Sequence, residues 1–263
     1  MRNEIVKCMI MKRVILLILG AVIALISSEA SAAGFSNESL HYVISYKWGL
    51  IHKDAGDATL SLHRNGNNYD LMLTAKTKPW ADKIYEVRDT LLGKLRIADM
   101  KPLSYSKIAH EKGRYSRDDI SYSFSGATAT GVCKRLRTHK DGSVVVTDKK
   151  LTGSGPVYDM LSVFYYLRLI NYDDLQKGKE AKATIFSGSK AESISIRCLG
   201  KEKIKLRDKS EREAYHIQFT FTTDGKNKSS DDIDTWISAD SKHIPLYMVG
   251  KLPVGQVRVY FIK

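Results

Sequence analysis

The sequence predicts a mainly β protein. A curled or closed antiparallel sheet forms a β-barrel-like single domain that encloses, or is capped by, one apolar helix at about residues 156–170. Apolar side chains alternate with period two along most of the chain, which is typical of strands with one buried face. Turn-forming dipeptides separate these runs, with little helical pattern between them. Strands joined directly by turns favour a sheet that curls or closes, because closure hides strand edges from aggregation.

The first three predicted strands show the alternation most clearly. Between the second and the third, Asn65-Gly66-Asn67-Asn68 predicts a hairpin turn, because Asn-Gly tolerates positive φ angles. Asp141-Gly142 and Asp224-Gly225 repeat that signal. The three apolar faces are Leu40, Tyr42, Ile44, Tyr46 and Trp48, then Ala58, Leu60 and Leu62, then Tyr69, Leu71, Leu73 and Ala75. Further strands are predicted at 87–98, 103–110, 119–124, 128–137, 143–147, 181–186, 193–199, 203–207, 215–222, 233–238, 246–251 and 256–262.

The segment 156–170 breaks the alternation and predicts the apolar helix. Pro156 suits a first helical position, because its φ angle is already fixed near the helical value. Asp159 near the start and Arg168 near the end complement the helix dipole. The segment is apolar nearly all round, so we expect a buried helix of roughly 22 Å held in the hollow of the sheet. A shorter helical turn is predicted at 80–85, after Pro79.

Residues 1–32 have the three parts of a secretory signal peptide, with Met11 as an alternative start. Lys12 and Arg13 precede an apolar run at 14–26, and Ala30-Ser31-Ala32 is a small-x-small cleavage sequence. We therefore predict an exported protein, in the periplasm or on the periplasmic face of the envelope of a Gram-negative bacterium. Its mature part, residues 33–263, is predicted to be a single β-rich domain, and a division near Thr152 into two β halves is the alternative.

The charge of the predicted mature chain indicates its partners. The formal net charge is +13, and the leader contributes +2 from four basic and two acidic residues, which leaves +11. A basic exported protein meets anionic lipids, acidic glycans and acidic proteins, whereas nucleic acid is not expected in that compartment. No later apolar run is long enough to span a bilayer. The alternative is that the charge serves solubility alone.

Two cysteines, Cys133 and Cys198, remain after the predicted cleavage removes Cys8. An oxidising compartment permits a disulfide between them. The alternative is two buried thiols that pack as small apolar groups.

Motifs for catalysis, metal binding or cofactor binding are missing from the sequence. The seven histidines are scattered, and Asp231, Asp232 and Asp234 lack the glycine and the distal glutamate of a calcium loop. We therefore expect no metal, no cofactor and no enzymatic activity. Paired carboxylates from different strands, as in a glycan-active hydrolase, remain a minor alternative.

Candidate ligand-binding residues are amphipathic aromatic side chains and two arginines. Trp48, Trp80, Tyr158, Tyr165 and Trp236 suit the lining of an apolar site, and core packing is the alternative. For Arg88 and Arg168, the alternatives are a structural ion pair and an anchor for an anionic head group.

Several stretches taken together carry a family resemblance over nearly all of the predicted mature chain. They are residues 46–51 (YKWGLI), 55–58 (AGDA), 79–83 (PWADK), 87–89 (VRD), 155–168 (GPVYDMLSVFYYLR), 186–188 (FSG), 244–246 (IPL) and 250–255 (GKLPVG). In that order they resemble the exported bacterial family called domain of unknown function 3108, as found in Bacteroidetes. The resemblance implies an exported envelope protein with a mostly β fold and no established activity. A looser likeness of architecture is to periplasmic lipoprotein carriers, which hold an apolar hollow under helices.

Three functions follow as hypotheses. The first is a non-enzymatic periplasmic carrier of a lipid-like or lipoprotein ligand. The second is an envelope scaffold or assembly partner that binds another envelope protein through its outer surface or a strand edge. The third is a glycan-active hydrolase with two carboxylates converging in a cleft.

Overall fold

The computed structural model of the protein describes residues 34–139, 141–176, 178–223, 232–252 and 254–263. The predicted signal peptide, the predicted turn at Asp224-Gly225 and Asp231 lie outside the described residues. None of the helices in the described ranges has the length and apolar character that crossing a bilayer requires.

Fifteen strands and three short helices are described. The strands are β1 (Glu38–Trp48), β2 (Ile51–Asn65), β3 (Asn68–Thr77), β4 (Val87–Arg96), β5 (Pro102–Glu111), β6 (Arg114–Ser125), β7 (Thr128–Thr138), β8 (Val144–Ser154), β9 (Val157–Asp159), β10 (Ala181–Phe186), β11 (Ala191–Lys205), β12 (Glu211–Thr223), β13 (Ile233–Ser238), β14 (Pro245–Lys251) and β15 (Gln256–Phe261). The helices are α1 (Pro79–Tyr85), α2 (Ser162–Leu167) and α3 (Tyr172–Leu175).

All described strands form one sheet in which the first strand pairs with the last. From β1 the order runs through β2 to β8 on one side, and through β15 down to β9 on the other. Neighbouring strands are antiparallel except β9 and β10, which are parallel. Tyr42 lies opposite Phe261 in the β1–β15 pair. This arrangement confirms the predicted antiparallel, mainly β sheet.

The two ends of the sheet approach each other at β7, β8 and β10, so the barrel is nearly closed. A Cβ atom on Gly131 would lie 2.7 Å from the ring of Phe186, and one on Gly153 would lie 3.0 Å from the Thr184 methyl group. Glycine at both positions lets β7 and β8 pack directly on β10. The predicted barrel-like closure is therefore confirmed.

The alternation predicted from the sequence places the core on the inner face of the barrel. Leu40, Tyr42 and Ile44 are buried, as are all the predicted inward positions of β2 and β3. The inward-facing side chains of β1 become less buried towards the end of the strand, where Tyr46 is half-buried and Trp48 is 55% exposed. The predicted turns at Gly66 and Gly142 are confirmed, with φ angles of 57° and 82°.

The predicted helix over 156–170 is wrong in extent, although the segment is buried as expected. Val157–Asp159 forms β9, and the helix α2 covers only Ser162–Leu167. The reason is a local turn at Asp159. Its carboxylate accepts hydrogen bonds from the backbone N–H groups of Leu161 and Ser162 at 2.9 and 2.8 Å, and its own N–H donates to the Ser162 hydroxyl at 2.9 Å. These bonds start the helix after Asp159. We call residues 157–175, which fill the barrel, the interior segment.

The predicted helical turn after Pro79 is confirmed as α1, whereas the disulfide alternative is wrong. Cys133 and Cys198 are free thiols, the first buried in β7 and the second half-buried in β11. β7 and β11 are not neighbours in the sheet, and the Cys198 thiol is directed at the carbonyl of Gly200 on its own strand, 3.8 Å away. Burial raises the pKa of the Cys133 thiol to about 11, so it stays a neutral apolar group.

Candidate functional site

An apolar cavity of about 270 Å³ lies at one end of the barrel, between α1 and the inner face of β1, β2, β3 and β15. Trp48 and Trp80 both line it, so the structure brings these two predicted ligand-binding residues together. The space exists because four lining positions carry small residues, Ala55, Gly56, Ala75 and Ala81. The sequence therefore builds a hollow where larger side chains would have closed the core.

A bulge in β2 positions the cavity beneath α1. Ile44 pairs with Gly56 and Ser45 pairs with Asp54, so Ala55 is the extra residue on β2. Its carbonyl accepts a hydrogen bond of 2.8 Å from the backbone N–H of Lys78, the residue just before α1. The bulge thereby ties the start of the helix to the rim of the sheet.

Arg88 fastens α1 from outside the cavity. Its guanidinium pairs with Asp82 of α1 at 2.8 Å and donates to the Thr77 hydroxyl at 3.0 Å, and Thr77 also donates to Asp82. The hydrogen bond from Arg88 lowers the pKa of the Asp82 carboxyl, which stays ionised. Of the two alternatives for Arg88, the structure therefore shows an ion pair, and it positions the helix that bears Trp80.

Polar side-chain atoms at the cavity wall are bonded within the protein. Trp80 donates its indole N–H to the carbonyl of Asp54 at 2.8 Å, and Tyr46 donates its hydroxyl to the carbonyl of Val254 at 2.8 Å. Ser45 donates to the Asp54 carboxylate at 2.6 Å. These groups therefore present apolar surface to the cavity, and an occupant would be held by contact and burial rather than by hydrogen bonds.

A cationic cleft adjoins the cavity on the other side of Trp80. It is lined by His52, Lys53, Asp54, Lys78 and Arg207. The ammonium group of Lys53 lies 4.9 Å from the centre of the Trp80 ring, and Arg207 pairs with Asp54 at 2.9 Å. Although burial opposes it, hydrogen bonds from Arg207 and Ser45 hold the pKa of Asp54 below its usual value. An apolar hollow and a basic cleft therefore share one tryptophan.

Three predicted ligand-binding residues lie in or beside the interior segment, not at the cavity. Tyr158 and Tyr165 are buried in the core, where the rings of Tyr158 and Tyr166 are tilted against each other with their centres 4.8 Å apart. Arg168 is buried and forms an ion pair with Glu38. The interior segment occupies the hollow that the sequence suggested as a binding space, so these side chains pack the barrel.

Trp236 lies on the outer face of β13 and is separate from the cavity. Its ring is stacked 4.3 Å from that of His216 on β12, and the tilted ring of Tyr247 on β14 lies 5.0 Å away on the other side. The Trp236 indole N–H donates to Glu202 at 2.5 Å. These contacts leave only the edge of the Trp236 ring for a ligand to contact.

Sequence reasoning missed the small residues that create the cavity. Ala55, Gly56, Ala75 and Ala81 follow the alternation or sit in a helix, and nothing in their spacing marks a void. The signal that could have found Ala55 and Gly56 is the run Lys53–Ala58 (KDAGDA), which interrupts the apolar alternation where the bulge occurs.

Two buried carboxylates, Asp89 and Glu111, lie close together beside Lys107. Asp89 and Glu111 each lie 3.5 Å from the ammonium group of Lys107, and both are 7% exposed. Glu111 also accepts a hydrogen bond from the Tyr85 hydroxyl at 2.5 Å. A glycosidase pair must reach a sugar, and these side chains are covered. Within the described ranges, no group of three His, Cys, Asp or Glu side chains is arranged to hold a metal ion.

Comparisons with known proteins show the fold and, separately, the family of this chain. A crystal structure of a beta-barrel-like protein of domain of unknown function DUF1849 from Brucella abortus is similar to this chain with a TM-score of 0.56. The likeness covers 88% of this chain and 97% of that one at 9% identity, and therefore shows the fold alone. No curated protein matches the chain. Residues 41–262 match the family described as protein of unknown function (DUF3108), and the chain therefore belongs to that family.

Proposed function

We propose that this protein is a non-enzymatic carrier that binds the acyl chain of an anionic amphiphile in the cavity beneath α1. The observation that supports it is an apolar cavity of about 270 Å³ whose neighbouring cleft carries Lys53, Lys78 and Arg207. The volume lies just below the roughly 300–1,000 Å³ that small-molecule sites span, which favours a single chain over a multi-chain lipid.

Burial of methylene groups would supply the affinity. Each buried CH₂ contributes about 0.8 kcal/mol, so a chain of eight would gain about 6 kcal/mol before the cost of association. The head group would lie beside Trp80, where Lys53 offers positive charge and Lys78, paired with Asp57 at 3.7 Å, adds to it. An exported protein meets such amphiphiles in the envelope, so the predicted leader and basic composition are consistent with this role.

Filling the cavity should abolish the binding. Ala81 is buried in α1 and lines the cavity, so Ala81→Phe places a ring where the chain would lie. We expect at least tenfold weaker binding of a fluorescent fatty acid, measured by titration and by competition with dodecanoate. Ala55→Leu fills the same space from β2 and provides a second variant if Ala81→Phe folds poorly.

Ala127→Phe is the matched control, because Ala127 is exposed in the turn before β7. It should bind the fatty acid like the wild type. Native mass spectrometry of the gently purified protein should also show a co-purifying acyl compound. Absence of any fatty-acid binding by the folded wild type, or full binding by folded Ala81→Phe, would rule out the proposal.

A second candidate function, an envelope scaffold, is favoured by the edge strand β8. β8 ends the sheet order, and Val144, Val145 and Val146 on it are each at least 45% exposed. An exposed apolar edge is a template for a further strand, which proteins usually protect or use.

A photo-crosslinker at Val145 should capture one consistent envelope protein in cells if this second function is right. Val145→Lys should lower the yield of that adduct at least fivefold, with the crosslinker then placed at Val144. Val132→Lys, a change at an exposed residue of the neighbouring strand β7, should leave the yield unchanged. Different adducts in each repeat would count against the scaffold.

A further inference from the structure

Five exposed apolar side chains form one cluster at the cavity end of the barrel. Trp48, Leu50 and Ile51 come from the tip of the β1–β2 hairpin, Ile84 from α1 and Val254 from the β14–β15 turn, and we call them the apolar tip. Leu50 is fully exposed and the other four are at least 42% exposed. Trp48, Ile84 and Val254 also line the cavity. The apolar tip therefore surrounds the mouth of the proposed binding site.

The backbone holds the apolar tip in place. β1 and β2 remain paired up to Trp48 and Ile51, and Gly49 has a φ angle of 55° at the first central position of a two-residue turn, where such turns favour glycine. The β14–β15 turn packs against β1, because a Cβ atom on Gly255 would lie 2.4 Å from the carbonyl of Lys47. Leu50 is thus presented to solvent by a short, paired hairpin, so docking would order little additional backbone.

Lysines surround the apolar tip, and we call Lys47, Lys53, Lys83 and Lys251 the basic collar. Lys47 and Lys53 flank the hairpin, and Lys83 precedes Ile84 on the exposed side of α1. Lys251 pairs with Gln256, which in turn pairs with Lys47. The nearby acids Asp54 and Asp82 already pair with Arg207 and Arg88. An apolar projection within a ring of positive charge is complementary to a bilayer with anionic head groups.

We propose that the apolar tip inserts into the interface of an anionic lipid surface and brings the cavity mouth against the acyl chains. This inference rests on the proposed function for its purpose, since a carrier must exchange its cargo with a membrane. Trp48 suits the head-group level, because tryptophan prefers the membrane–water interface. Leu50 would reach further into the apolar layer, and the basic collar would contact the anionic head groups.

Vesicle binding of the secreted, processed protein tests this proposal. The probes are vesicles of phosphatidylcholine alone and of phosphatidylcholine with 30% phosphatidylglycerol, and the readouts are co-sedimentation and a blue shift of tryptophan fluorescence. We expect binding to the anionic vesicles that weakens as salt is added. Leu50→Asp should lower the affinity for the anionic vesicles about ten- to hundredfold, because the burial of one leucine side chain in the bilayer is lost. Lys47→Gln should lower it about fivefold.

Leu199→Asp is the matched control, because Leu199 is an exposed leucine on β11 outside the apolar tip. It should bind vesicles like the wild type. The proposal is overturned if the wild type ignores anionic vesicles or if Leu50→Asp binds them fully. A dimer that Leu50→Asp dissociates in sedimentation without lipid would also overturn it, since a second copy would then cover the apolar tip.

The carrier proposal and the membrane-docking proposal can be tested independently of each other. Leu50→Asp should keep fatty-acid binding, because Leu50 does not line the cavity. Ala81→Phe should keep vesicle binding, because Ala81 is buried beneath the surface. A wild-type protein that docks on anionic vesicles but binds no fatty acid would therefore refute the carrier alone.

Discussion

Replacing Arg168 by Met should lower the free energy of unfolding by about 3 kcal/mol, because it leaves a partly buried carboxylate without its counter-charge. The Arg168 guanidinium is paired with Glu38 and donates to the carbonyl of Lys242 at 2.9 Å. It also lies 4.7 Å from the centre of the Phe35 ring. Met fills similar volume but restores none of these contacts. Urea denaturation at neutral pH measures the change.

Arg96→Met is the matched control. Arg96 also binds an acid through two hydrogen bonds, to Asp99 at 2.8 and 2.7 Å, but its side chain is 43% exposed. Exposed pairs of this kind contribute less than about 1 kcal/mol. The double variant Glu38→Leu with Arg168→Met should recover part of the lost stability. An Arg168→Met variant as stable as the wild type would instead favour the role of Arg168 as an anchor for an anionic head group.

Replacing Asp159 by Asn should stabilise the protein by about 3 kcal/mol at pH 8 and have little effect near pH 4. Burial raises the pKa of Asp159 to about 6, against the hydrogen bonds from Leu161 and Ser162. Between about pH 4 and pH 6 the folded state therefore holds a proton that the unfolded state has lost, so this group's contribution to stability falls as the pH rises through that window.

The Asn side chain keeps an oxygen for the two backbone N–H groups and cannot ionise. The free energy of unfolding, measured by urea titration from pH 4 to pH 8, should separate the two proteins progressively above pH 4. Asp70→Asn should show the opposite sign, because hydrogen bonds from Lys94 and Asn65 lower the pKa of Asp70. Parallel pH profiles for the wild type and Asp159→Asn would contradict the assignment.

Local patterns predicted the sheet well, because the alternation of apolar and polar residues along most strands can be read directly from the sequence. Leu60, Leu71 and Leu73 are buried where the alternation put them. β8 extends to Ser154 rather than ending near 147, because most of its residues are exposed on both faces and carry no apolar period. The prediction of a single helix over the interior segment was wrong for the opposite reason. It is apolar on all sides, so no period distinguished a strand, a turn at Asp159 and a short helix.

The candidate site was only partly predictable. Trp48 and Trp80 stood out as amphipathic aromatics, and they do meet at one cavity. The cavity itself depends on missing volume at Ala75 and Ala81 and on a bulge at Ala55, which are properties of packing rather than of residue chemistry. For Arg168 the sequence left two roles open, a structural ion pair and an anchor for an anionic head group. The ion pair with Glu38, 130 residues away in the chain, could not be read from the sequence.

The pairing of β1 with β15 has a consequence for how the chain reaches its final form. The backbone N–H of His41 donates to the carbonyl of Lys263 at 2.8 Å, so strand β1 is bonded to a segment that is far from it in the sequence. Contacts this distant in sequence close slowly, because the loop between them must first be ordered. Until β15 is in place, β1 and β14 each present an unpaired edge. A chain interrupted before β15 would keep both edges, and would be vulnerable to proteases and to aggregation during synthesis.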